Sequence, residues 1–141
     1  GALTVAENQD FSEEISHTGA LRPRFIKADV LSQPSDDIGK FDIIVSNPPY
    51  VMETEKALMR SNVLEHEPHL ALFVSDDDPL IFYRAVARWA VHLLKPGGFG
   101  MVEINEALAS ETEEIFRNLN FNNVRTVKDL NDKDRFVTFT A

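Results

Sequence analysis

With 141 residues and 15.9 kDa the chain has room for one domain, and 43% hydrophobic against 26% charged residues excludes a disordered coil. Its net charge of −9, from 23 acidic and 14 basic side chains, repels a phosphate backbone and disfavours nucleic acid as a partner. Zero cysteines exclude a disulfide framework or thiolate metal site, residues 1–10 lack the blocks of a signal peptide, and the most apolar helical stretch, 81–94, is broken by Arg84, Arg88 and His92, so the expectation is a cytoplasmic chain with no membrane span.

Residues 2–17 read as a weakly amphipathic helix ended by Gly19, and 24–28 as a short strand leading into a polar loop that holds Pro34, Asp36, Asp37 and Gly39. Phe41-Asp42-Ile43-Ile44-Val45 is a nearly continuous apolar run, as expected of a parallel strand covered by helices on both faces. It stops at Ser46-Asn47-Pro48-Pro49-Tyr50. Residues 51–75 read as a long irregular excursion, and excursions of that length inside a compact domain are usually functional. Asp78-Pro79 is a helix start, with an acceptor at the cap and a proline at the first helical position. Phe82, Val86, Trp89 and Leu93 then form an apolar stripe at helical spacing, which places Trp89 in the core, and Lys95-Pro96-Gly97-Gly98 ends the helix.

A strand over 99–104, a helix over 106–119 carried by Leu108, Ile115, Phe116 and Leu119, and strands over 124–128 and 135–140 complete the pattern. Asn131-Asp132 between the last two predicts an antiparallel hairpin. Alternating strands and helices followed by a hairpin predict an α/β fold, an open, mostly parallel sheet with an antiparallel C-terminal hairpin.

In open α/β sheets ligands bind beyond the carboxyl ends of the strands, which is where Asn47-Pro48-Pro49-Tyr50 falls. The two prolines fix φ and remove two N–H groups, leaving carbonyls as pure acceptors, while Asn47 adds a side-chain carbonyl and Tyr50 an aromatic face. Such a group suits a planar –NH2. A rigid turn with no further role is the alternative for an isolated Pro-Pro pair.

The string Phe41-Asp42-Ile43-Ile44-Val45-Ser46-Asn47-Pro48-Pro49-Tyr50-Val51 resembles the signature of S-adenosylmethionine-dependent amino-group methyltransferases, which act on adenine-N6, guanine-N2 or glutamine-N5. Glu67-Pro68 with Ala71-Leu72, Phe82-Tyr83-Arg84, Lys95-Pro96-Gly97-Gly98 and Asp134-Arg135-Phe136 resemble the downstream pattern of the HemK/PrmC family. That resemblance implies a Rossmann-like class I methyltransferase sheet, S-adenosylmethionine as cofactor, and methylation of the glutamine in the Gly-Gly-Gln tripeptide of class I peptide-chain release factors. It implies that Asn47 and the Pro48 carbonyl accept from the glutamine amide, that Pro49 lines the same loop, and that Tyr50 packs on the amide plane. It also implies that Asp29, Val30 and Asn47 contact the cofactor. Asp29 has an alternative as a turn or cap residue. Glu103 resembles a family acidic position, but Asn105 stands where a glycine is expected, and Glu103 is given no role.

The family's first two strands, glycine-rich loop and N-terminal helical domain have no counterpart among the six glycines and the N-terminal residues here, so residues 1–141 are expected to form a partial, N-terminally truncated catalytic domain with an incomplete cofactor site. Its activity is then weak or nil. A nucleic-acid amino methyltransferase and a non-catalytic binding fragment are the competing readings. Missing central strands predict exposed sheet edges and self-association. No metal is expected: in Glu65-His66-Glu67-Pro68-His69 the proline breaks the helix that would align the two imidazoles, and Asp76-Asp77-Asp78 reads as a negative cluster at a helix N-terminus. His17 and His92 are read as ordinary helix positions.

Overall fold

A computed structural model describes residues 24–52 and 73–141. The expected helix over 2–17, most of the 51–75 excursion and the Glu65 to His69 cluster lie outside them. In chain order the elements are β1 (Phe41–Ser46), β2 (Val51–Met52), β3 (Phe73–Val74), α1 (Ile81–Leu93), β4 (Leu94–Glu103), α2 (Ala109–Asn118), β5 (Asn122–Lys128) and β6 (Asp134–Thr140). The main sheet has the order β1-β4-β6-β5, with β1 and β4 parallel and β6 antiparallel to both its neighbours; β2 and β3 form a separate parallel pair. The chain thus has the α/β architecture and antiparallel C-terminal hairpin expected of it.

The core lies between the two helices and one sheet face. Tyr83, Val86, Ala87 and Ala90 of α1 and Phe116 of α2 pack on Val102, Val137 and Phe139. Val86 and Leu93 of the predicted stripe are buried, but the buried face extends to Tyr83 and Ala87 instead of Phe82, which is only half-buried. Trp89 is not a core residue either. It is half-buried, and its indole N–H donates to the Ser32 carbonyl at 2.8 Å, so a polar tip anchors the loop before β1.

Three other expectations need correction. Residues 24–28 form no strand and are exposed, because a strand needs a ladder partner and none is adjacent among the described residues. α1 begins at Ile81, since Pro79 belongs to a preceding turn closed by the Ile81 N–H on the Asp78 carbonyl at 3.3 Å; the Asp78 carboxylate pairs with Arg84 instead of capping. β4 starts at Leu94, five residues early, because the Lys95 to Gly98 segment enters the ladder as an irregularity opposite β1. Gly97 allows this with φ 75°, and Gly97 N–H and Gly98 C=O both bond Ala141, at 3.1 and 3.0 Å.

Gly100 has a different reason. A Cβ there would lie 2.1 Å from the Phe139 ring, whose centroid sits 4.1 Å from that of Phe116. Gly100→Ala is expected to cost about 1–3 kcal/mol through overpacking. Thermal unfolding of the variant measures this, and an unchanged melting temperature would show that the ring moves aside freely.

β1 pairs only with β4 among the described residues, and its outward row is apolar: Phe41, Ile43 and Val45 are 42%, 63% and 64% exposed. The expected cover on both faces is present on one, where Ile44 meets the core.

Candidate active site

The parallel pairing of β1 with β4 sets the site, because it brings the carboxyl ends of both strands to one edge of the sheet, Ser46 lying beside Val102. Asn47 leaves β1 exposed, while Pro48 and Pro49 are buried and Tyr50 is half-buried. The prolines therefore anchor the loop from below, and the Asn47 side chain faces solvent where a substrate can reach it.

Tyr50 is held at both ends. Its hydroxyl donates to Glu103 Oε1 at 2.6 Å, the length of a charge-assisted bond, and its carbonyl accepts from Asn105 Nδ2 at 3.2 Å. Asn105 is itself fixed: its N–H donates to Tyr83 Oη at 2.9 Å and its Oδ1 accepts from the Ala107 N–H at 3.0 Å, capping the short helix that follows. Burial first, and then the neighbouring Glu103 carboxylate, push the Tyr50 phenol up to about 12. Tyr50 is thus a proton donor throughout the neutral range. Glu103 and Asn105 are the residues that reading the sequence missed. The signal was topological: both stand at the carboxyl end of the strand next to β1, and an asparagine at position 105 supplies a donor that glycine lacks.

Arg135, at the start of β6, carries its positive charge beside both Tyr50 and Glu103. Asp129 fixes it from across the hairpin, Oδ2 accepting from Nε at 3.3 Å and Nη2 at 3.2 Å. Asp129 Oδ1 takes the N–H groups of Asn131 and Lys133 at 2.8 and 3.2 Å. These backbone donors, with Arg135 after them, hold the Asp129 carboxyl below the usual carboxylate range. A depressed pKa contributes stability above the unfolded value and loses it as pH falls through the folded one. The urea midpoint is therefore expected to drop in that acid window, and to drop less in Asp129→Asn. Equal drops would remove Asp129 from the account.

Asp29 and Val30 lie on the other side of β1. Asp29 makes a turn, Oδ1 accepting from the Leu31 N–H at 2.9 Å, which is its alternative reading, and the residue stays exposed. Val30 joins Trp89, Val86 and Leu93 and the whole of β1 from Phe41 to Ser46 except Asp42 along an open groove of about 340 Å³. Val30 and Ser46 line this groove, and neither Asp29 nor Asn47 does. Among the described residues no cluster of three or more His, Asp or Glu could hold a metal ion, and no helix is long and apolar enough to cross a membrane.

The proline-rich loop at the end of β1, with Tyr50 held by the end of β4, is the candidate site. The family model described as "Eco57I restriction-modification methylase" matches residues 4–136, and the chain belongs to that family. Within it, the chain is 47% identical over 114 residues to a release factor glutamine methyltransferase of Bacteroides thetaiotaomicron, covering 81% of this chain and 41% of that protein. It is 43% identical over 136 residues to a release factor glutamine methyltransferase of Flavobacterium psychrophilum, covering 96% and 45% respectively. The HemK/PrmC resemblance read from the sequence is thereby borne out, and the chain spans less than half the length of these curated relatives. A crystal structure of a release factor-specific protein-(glutamine-N5) methyltransferase from Alicyclobacillus acidocaldarius aligns with 74% of this chain and 52% of its own, at 27% identity and a TM-score of 0.46.

Proposed function

We propose that these residues form the acceptor-loop part of an S-adenosylmethionine-dependent methyltransferase catalytic domain that modifies the glutamine side-chain amide of the Gly-Gly-Gln tripeptide in class I peptide-chain release factors. The observation that carries this reading is Asn47-Pro48-Pro49-Tyr50 at the end of a parallel strand, anchored by buried prolines and bonded through Tyr50, in a chain whose relatives bear that name. Such a protein works in the cytoplasm, where translation terminates.

An amide nitrogen is a poor nucleophile because its lone pair is delocalised into the carbonyl. Asn47 Oδ1 and the Pro48 carbonyl accept from the two N–H bonds, hold the nitrogen in line, and favour the positive charge that develops on it before a proton leaves to water. Tyr50 packs against the amide plane and Pro49 stiffens the loop. Asp29, Val30 and Asn47 are the residues assigned to hold S-adenosylmethionine, which supplies a methyl group on a positively charged sulfur. Positioning and fixed dipoles share the work, and no general base is needed.

The test is transfer of labelled methyl by the full-length protein to a release factor, compared with DNA and RNA. Label on the glutamine amide alone supports the reading. Label on adenine or guanine overturns it in favour of nucleic-acid modification, which the family description favours and the charge of −9 opposes. Calorimetric titration of S-adenosylmethionine into the 141-residue chain tests whether this part alone completes the cofactor site.

The unpaired edge of β1 among the described residues, together with its apolar outward face, supports a further part of the proposal, self-association of this chain through that side of β1. Sedimentation should show dimers or larger species that revert to monomers in Ile43→Lys/Val45→Lys. A monomeric parent would refute it.

A further inference from the structure

We propose that Glu103 is a positioning residue, whose carboxylate, together with the Asn105 amide, sets the orientation of Tyr50 and through it the reach of the acceptor loop; this rests on the catalytic reading above. The loop has few bonds of its own to define its shape, since two of its four residues are prolines without an N–H. Its orientation must be imposed from outside. The end of β4 does this with two bonds to one residue, the 2.6 Å bond from Tyr50 Oη to Glu103 and the 3.2 Å bond from Asn105 Nδ2 to the Tyr50 carbonyl. Two contacts at opposite ends of a residue fix both its backbone and the axis along which its ring extends, which one contact cannot do.

The supports of these two side chains are stiff. Asn105 is 7% exposed and is locked by Tyr83, itself fully buried. Glu103 belongs to the β4 ladder opposite Phe136. The Ile104 N–H donates to the Arg135 carbonyl at 2.9 Å, so the backbones of the two charged residues are joined as well. A ring held at the wrong tilt displaces the substrate amide, and small displacements in a transfer reaction cost up to about a hundredfold in rate.

Glu103→Gln preserves shape and removes the charge, and Asn105→Asp keeps the Oδ1 cap on Ala107 while removing the Nδ2 donor. In the full-length protein, Glu103→Gln is expected to lower kcat for amide methylation about tenfold and to leave the KM for S-adenosylmethionine unchanged. Tyr50→Phe should lower it at least as much, and the double variant no further than Tyr50→Phe alone, because Glu103→Gln weakens and Tyr50→Phe removes one and the same bond. The ζ-carbon resonance of Tyr50, assigned by its loss in Tyr50→Phe, should shift in Glu103→Gln. Asn105→Asp should lower kcat while leaving that resonance near its parent position. Additive losses in the double variant, or an unmoved Tyr50 signal in Glu103→Gln, would overturn the proposal. If the parent transfers no methyl to glutamine, the catalytic reading falls, and the Tyr50 signal still decides whether Glu103 holds the ring.

Discussion

Asn47→Ala in the full-length protein is expected to lose on the order of 2–4 kcal/mol of transition-state stabilisation, roughly 30- to 1,000-fold in kcat. The magnitude follows from removing one preorganised polar group aimed at the reacting atom. Asn47 is exposed and lies outside the core, so its truncation leaves no buried partner stranded and the melting temperature should not move. Loss of rate without loss of stability is the signature to look for. Turnover within threefold of the parent would remove Asn47 from the site.

The largest effect on stability is expected at Phe116. Its ring is fully buried, stacks on Phe139 at 4.1 Å and meets Phe121 at 5.7 Å, while Phe121 and Phe139 lie 4.8 Å apart. Phe116→Ala takes one ring from a three-ring cluster between α2 and the sheet, and the other two cannot both collapse into the void. About 3–5 kcal/mol is the expected cost, against a total stability of about 5–15 kcal/mol for an ordinary domain. Urea denaturation should show the midpoint falling with little change in slope. Leu119→Ala, at a position 39% exposed one turn away, is the control and should change stability by about 0.5 kcal/mol or less. Comparable losses in the two variants would mean that the aromatic cluster is not the centre of the core.

Much of the fold and part of the site were legible in the residues. The run Phe41 to Val45 read as a strand, though its outward row is exposed instead of covered, Asn131-Asp132 between two strand-like stretches read as a hairpin tip, and the Asn-Pro-Pro-Tyr string announced acceptors at a strand end. These are local properties, set by side-chain period, proline φ and turn chemistry within about ten residues. Helix phase was less legible. The stripe through Phe82 and Trp89 and the face through Tyr83 and Ala87 differ by a single residue step, and only packing against Val102 and Phe139 chooses between them.

What the tertiary structure alone decided is which distant groups meet. Glu103 carried no legible role because its partner, Tyr50, stands 53 positions earlier, and Asn105 departed from the family glycine without showing what the change supplies. The register of β1 against β4 places Val45 beside Met101 and so brings the two strand ends together. Register depends on the summed packing of both strands and the helix between them, a property no short window contains. The sequence by itself determined the chemistry available at the end of β1, and the pairing of β1 with β4 decided what holds that chemistry in place.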